Sequence, residues 1–109
     1  METDLAQLAH DRFEIADALH RYAFGLDHGD ADSLASALTE DCRFDFRPAG
    51  RKLEIDFPLL IGRDVILNGV LPLIGPLDTS HSVSNLQIEI VGDTAYVVCL
   101  RFVAAFHAA

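Results

Sequence analysis

The sequence predicts an α+β domain in which N-terminal helices pack on an antiparallel sheet. Three observations carry that expectation. Apolar residues recur at steps of three and four over the first 29 residues, the period becomes two after Cys42, and the last third is almost continuously β-branched and apolar. A chain of 109 residues, half of it hydrophobic, supports one core and not two, so residues 1–109 are expected to form a single domain.

The first helix is expected over residues 1–29. Phe13, Ala16, Leu19, Ala23 and Leu26 form its apolar stripe, Ile15 and Tyr22 widen it, and Asp11, Arg12, Glu14, Asp17 and Arg21 fall mostly outside. It ends at Asp27-His28-Gly29-Asp30, where Gly29 can take the left-handed backbone that stops a helix and Asp30 can cap the next one. A short second helix follows from about Ala31 to Thr39, with Leu34, Ala37 and Leu38 inward.

Cys42, Phe44 and Phe46 alternate with Arg43, Asp45 and Arg47, the pattern of a strand wet on one side, and Pro48-Ala49-Gly50 breaks it. Residues 52–57 read as a short returning strand, with Leu53, Ile55 and Phe57 on one face. A third helix is expected from Gly62 to about Leu71, stopped by Pro72, and residues 72–80 then read as a surface loop.

Residues 82–91 and 94–106, separated by Gly92-Asp93, predict a long antiparallel hairpin. Strict alternation in its first strand puts Leu86, Ile88 and Ile90 on one face and His81, Val83, Asn85 and Gln87 on the other. The second strand is apolar on both faces, Tyr96, Val98, Leu100, Phe102 and Phe106 against Val97, Cys99 and Val103, so both faces should be covered. The helices supply one cover; a second subunit is expected to supply the other, making a homodimer. No internal repeat, low-complexity tract or linker is present.

Composition excludes several roles. A formal charge of −9 opposes a phosphate-tracking surface, so no nucleic-acid partner is expected. No apolar run reaches the roughly 20 residues of a bilayer span, and Met1-Glu2-Thr3-Asp4 is acidic where a secretory signal is basic, so a cytoplasmic protein with no membrane partner is expected. Cys42 and Cys99 lie outside any CxxC spacing and read as reduced, buried thiols. His10, His20, His28, His81 and His107 show no HxH or HExxH spacing, so no metal is expected. GxGxxG, Walker and GxSxG motifs are absent, and no cofactor is expected.

Three local motifs are more specific. Tyr22-Ala23-Phe24-Gly25-Leu26-Asp27-His28-Gly29-Asp30, followed by Leu38-Thr39-Glu40-Asp41-Cys42-Arg43-Phe44-Asp45, resembles the opening of SnoaL-like proteins. Ile61-Gly62-Arg63-Asp64 is similar to the glycine turn before their third helix. Thr79-Ser80-His81-Ser82-Val83-Ser84-Asn85 and Val91-Gly92-Asp93-Thr94-Ala95 resemble their hairpin. The resemblance runs from about Arg12 to Phe106 and implies the α+β cone of the nuclear transport factor 2-like superfamily, with helices on a curved sheet around one apolar pocket.

Within that superfamily the chain resembles scytalone dehydratase and its SnoaL-like relatives, in which a helix-borne aspartate meets a strand-borne histidine inside the cone. The matching residues are Asp27 and His81. Two water-positioning tyrosines of that enzyme correspond to Leu26 and Phe46, which cannot hydrogen-bond through their side chains. Its second pocket histidine falls near Ala104, with His107 three positions on. Such relatives continue through one or two further strands, so the resemblance implies C-terminal strands missing here after His107-Ala108-Ala109 and supplied by more chain or by a partner.

Histidine, with an ordinary pKa of about 6.5, can take and return a proton near neutrality, and a carboxylate on its other ring nitrogen fixes the tautomer. Asp27 and His81 are therefore the candidate catalytic pair. Tyr22 and Asn85 are candidate donors to substrate, Phe24, Phe46 and Phe102 candidate pocket walls, and His20 a candidate for the pocket rim. The function expected is a cofactor-free lyase or isomerase, dehydratase-like, acting on a small apolar carbonyl compound. The alternatives are a pocket protein that binds without turnover and a dimerising accessory domain resembling the small subunits of ring-hydroxylating dioxygenases. Close approach of Asp27 to His81 in an enclosed pocket separates the first from the others.

Overall fold

The computed structural model describes residues 4–107; Met1-Glu2-Thr3 and Ala108-Ala109 of the expectations above lie outside the described residues. Helix α1 (Leu5–His28) begins where the Asp4 carboxylate accepts the Gln7 amide at 3.1 Å and ends at Gly29, whose φ of 61° is left-handed. Asp30 then caps α2 (Ala31–Ser36), accepting from the amides of Asp32 and Ser33 and the Ser33 hydroxyl. The stop and restart expected at Asp27-His28-Gly29-Asp30 are both present. α2 ends sooner than expected, at Ser36.

The inward stripe of α1 is the expected one except at Phe13, with Ala16 and Ala23 inward as well. Ile15, Leu19, Tyr22 and Leu26 face the interior, whereas Phe13 is 65% exposed. The core is small and helical: Leu34 of α2 and Ile66 of α4 are fully buried, with Ala23 and Leu26 of α1 against them. Gly25 makes this packing possible, because a Cβ there would sit 2.7 Å from the Leu34 amide nitrogen.

Between α2 and α4 the chain departs from the sequence expectation. Strand β1 is only Arg43–Phe44, and residues Arg47–Leu53 form helix α3 rather than a break and a returning strand. Pro48 lies in the first turn, where its missing amide is harmless, and the Asp45 carboxylate accepts the Arg47 amide just before the helix. The alternation of Leu53, Ile55 and Phe57 straddles the helix end, where Glu54 turns the chain with φ of 57°. The returning strand is instead β2 (Leu60–Ile61), antiparallel to β1. α4 (Arg63–Ile74) starts after Gly62 as expected but runs through Pro72. The proline falls in the last turn, and the Gly75 amide closes the helix on the Leu71 carbonyl at 2.8 Å.

β3 (Leu77–Val91) therefore begins inside the segment expected to be a loop, and pairs along its length with β4 (Thr94–His107). The strict alternation expected for β3 fails at one residue. Ser84 pairs with Leu100 and Gln87 with Val98, so Asn85 and Leu86 together face the single residue Cys99. Asn85 adopts φ of 55° at this bulge. The parity changes there: Leu77, Thr79, His81 and Val83 face the helices before it, and Leu86, Ile88 and Ile90 face them after it. His81 and the Leu86-Ile88-Ile90 set thus share one face instead of lying on opposite ones.

On β4, Val97 and Cys99 face the helices, while Tyr96, Val98, Leu100 and Phe102 on the outer face are 60–69% exposed. Cys42 and Cys99 are free thiols, half-buried rather than buried. No helix among the described residues is long and apolar enough to cross a membrane.

Candidate active site

Asp27 occupies the last turn of α1, directly before the Gly29 stop, and β3 passes beside that turn. The Thr79 hydroxyl donates to Asp27 Oδ1 at 2.9 Å, and the His81 backbone amide donates to Oδ2 at 2.9 Å and Oδ1 at 3.1 Å. His81 Nδ1 lies 2.5 Å from Oδ1. Both side chains are largely buried, 9% exposed for His81 and 18% for Asp27.

Desolvation pushes the Asp27 carboxyl upward, but the His81 amide, the His81 ring and the Thr79 hydroxyl together outweigh it and hold the group below its ordinary range. An ionised carboxylate only accepts hydrogen bonds, so Nδ1 of His81 must carry the proton that joins them. Nε2 is left as the basic ring nitrogen. His81 lines a hollow of about 340 Å³ with Tyr22, Leu26, Phe44, Phe46 and Val103. The aromatic wall is ordered edge to face, with ring centroids 5.6 Å apart for Tyr22–Phe44 and for Phe44–Phe46. Burial raises the Tyr22 phenol above its ordinary pKa, the neighbouring charge of Arg101 offsetting this in part, so it stays a neutral donor.

Of the residues singled out from the sequence, Asp27, His81, Tyr22 and Phe46 come together. Three do not. Phe24 is 49% exposed and stacks on the His28 ring at 4.0 Å, because it lies on the solvent side of α1. Phe102 is 66% exposed on the outer face of β4, the parity opposite to Arg101 and Val103. Asn85 is exposed at the bulge, where its side chain is carried off the inner face. His20 is exposed and lines neither this hollow nor its neighbour. Among the described residues no three His, Cys, Asp or Glu side chains converge as metal ligands.

Phe44, Val103 and Arg101 line the hollow without having been candidates from the sequence. Arg101 projects from the inner face of β4, and a signal was available, since it is the one charge in the alternating series Ala95, Val97, Cys99, Arg101, Val103. A second hollow, of about 680 Å³, shares Tyr22, Phe44, Phe46 and Arg101 with the first.

Residues 7–108 match the profile of the SnoaL-like domain. The chain belongs to the SnoaL-like family. This SnoaL-like domain is 31% identical over 100 residues to the terrestric acid biosynthesis cluster protein E of Penicillium crustosum, covering 91% of the chain and 58% of that relative. It therefore spans under two thirds of the fungal protein's length. Among solved structures it is similar to a candidate scytalone dehydratase from Novosphingobium aromaticivorans, with TM-score 0.74 and 27% identity over 94% of the chain and 64% of that protein. It also resembles a candidate dehydratase of the NTF2-like family from Streptomyces avermitilis, with TM-score 0.62 and 17% identity over 87% of the chain and 68% of that protein. The fold of the SnoaL-like domain is thus the α+β cone of the NTF2-like type, as the motif order in the sequence implied.

Proposed function

We propose that this SnoaL-like domain is a cofactor-free dehydratase or isomerase acting on a small, largely apolar carbonyl compound. The observation that carries the reading is the His81 ring held by a part-buried carboxylate at the edge of an apolar hollow. His81 Nε2 removes a proton from the carbon beside the carbonyl. In a dehydration the released electron pair forms the carbon–carbon double bond as the hydroxyl group leaves, and the imidazolium returns its proton to that hydroxyl, giving water. In an isomerisation the proton goes back to a different carbon. Asp27 stabilises the imidazolium in both cases, and Tyr22 is a neutral donor for the carbonyl oxygen. Positioned acid–base catalysis contributes roughly 10² to 10⁴-fold, so polar help at the oxygen is needed as well.

The names of the relatives support the dehydratase class, and the apolar walls support a compound without many polar groups. The exposed outer face of β4 supports a second copy of the chain on that side, which sedimentation at micromolar concentration would show as twice the monomer mass.

The test is proton exchange in D₂O at the carbon beside the carbonyl of 2-tetralone, followed by proton NMR. The domain should accelerate exchange, with a loss of about 100-fold or more in a folded His81→Ala variant and at least about tenfold in Asp27→Asn. Unchanged exchange in folded His81→Ala would remove the histidine from the mechanism; binding of 2-tetralone with no exchange would favour a pocket that binds without turnover.

A further inference from the structure

Among the described residues Arg101 is a cation without an anion. It stands opposite Val83 in the hairpin, and His81 stands opposite Val103, so Arg101 and His81 are diagonal neighbours on one face of the sheet. Its guanidinium carbon lies 5.4 Å from the Phe46 ring centroid and 6.0 Å from that of Tyr22, and its Nη1 reaches the Tyr22 hydroxyl only at 3.5 Å. Among the described residues no carboxylate comes within 4.0 Å of it, in a chain with 17 acidic residues against 8 basic ones. The acidic groups nearest to the site are committed elsewhere: Asp27 to Thr79 and His81, and Asp45 to Arg47.

We infer that Arg101 binds a carboxylate of the ligand, so that the molecule held against His81 is a small acid with an apolar body. The guanidinium lines both hollows where they meet. Arg101 is exposed to water in the open hollows, and a ligand filling either of them covers part of the guanidinium, which favours a charged acceptor over a neutral one. The planar fork matches a carboxylate through two parallel hydrogen bonds, and the nearby Phe46 and Tyr22 rings help to position it. A neutral carbonyl compound would offer the guanidinium an acceptor but no opposite charge. This inference deepens the proposed function by naming the substrate class, and the apolar walls formed by Phe44 and Phe46 hold the body of the acid.

Binding of phenylacetate and of its neutral counterpart phenylacetamide, measured by ligand-observed NMR or calorimetry, tests it. The wild-type domain should bind the acid at least about tenfold more tightly, with the preference shrinking as salt is raised. Arg101→Met should bring the two affinities together, and Arg101→Lys should keep part of the difference. Equal affinities in the wild type, or an acid preference that survives in Arg101→Met, would overturn the inference; so would phenylacetate failing to bind at all. The wild-type comparison needs no variant to fold. Because it reads binding and not exchange, its failure is separate from a failure of the acid–base mechanism.

Discussion

The Asp27 carboxylate holds His81 by two kinds of group at once, accepting the backbone amide at 2.9 Å and meeting the ring Nδ1 at 2.5 Å, across 54 residues of sequence. The same contact that fixes the imidazole therefore also docks the end of α1 onto the start of β3. Site and fold share this carboxylate, and variants of it will change both.

Stability in acid should register that sharing. The folded Asp27 carboxyl lies below its ordinary value of 3.8, so its contribution is fully present above that value and is lost as pH falls through the folded pKa. Urea midpoints followed from pH 6 down to pH 2 should therefore decline more steeply below about pH 4 in the wild type than in Asp27→Asn. Parallel declines would show that the carboxylate anchors nothing.

Gly25→Ala should weaken the domain although alanine ordinarily favours a helix by about 1 kcal/mol over glycine. The new methyl would lie 2.7 Å from the Leu34 nitrogen and 2.9 Å from its Cα, atoms that cannot rotate away. Displacing α2 should give a net loss of about 1–3 kcal/mol in urea unfolding. Leu34→Ala alone should lose about 2–5 kcal/mol by opening a cavity at a fully buried site. It should not rescue Gly25→Ala, since the clashing backbone remains.

Asn85 is expected to matter for register and not for ligand contact. Replacing it with glycine, which accepts φ of 55° readily, should leave stability within about 0.5 kcal/mol, whereas Asn85→Val should lose about 1–2 kcal/mol. Deleting the residue removes the parity change, so either His81 or the Leu86-Ile88-Ile90 set must turn outward. The deletion should abolish 2-tetralone exchange or unfold the chain; retained exchange would mean that the bulge does not set the site.

Aromatic truncations should sort by location. Phe46→Ala should weaken binding of aromatic ligands, since Phe46 forms the wall shared by both hollows. Phe24→Ala and Phe102→Ala, on solvent-facing surfaces, should leave affinity within about twofold. Calorimetric titration of phenylacetate against the three variants checks the order.

Much of the architecture was readable locally. The Gly29 stop, the Asp30 cap, the Gly62 start of α4 and the turn at Gly92-Asp93 each depend on a few adjacent residues, and each is where the sequence puts it. Residues 47–57 were misread because a short run with Leu53, Ile55 and Phe57 alternates equally well across a helix end, and only the fold-back of Ile55 onto the Gly50 carbonyl distinguishes the two. Of the site, the Asp27 and His81 pairing came from motif resemblance; no periodicity could have joined residues on different elements. Arg101 was visible as an odd charge in an apolar series, but its meaning depended on what stood opposite.

By itself the sequence determined the stops and starts at Gly29, Asp30, Gly62 and Gly92-Asp93, and which residue types the elements present, because caps, turns and periods act over a few neighbouring residues. Only the tertiary structure decided which of those residues face the hollow. One extra residue at Asn85 reverses the inward parity of β3, and the packing of α1 leaves Phe13 and Phe24 exposed. Both are set by how elements pack against one another, and such packing depends on contacts between distant parts of the chain.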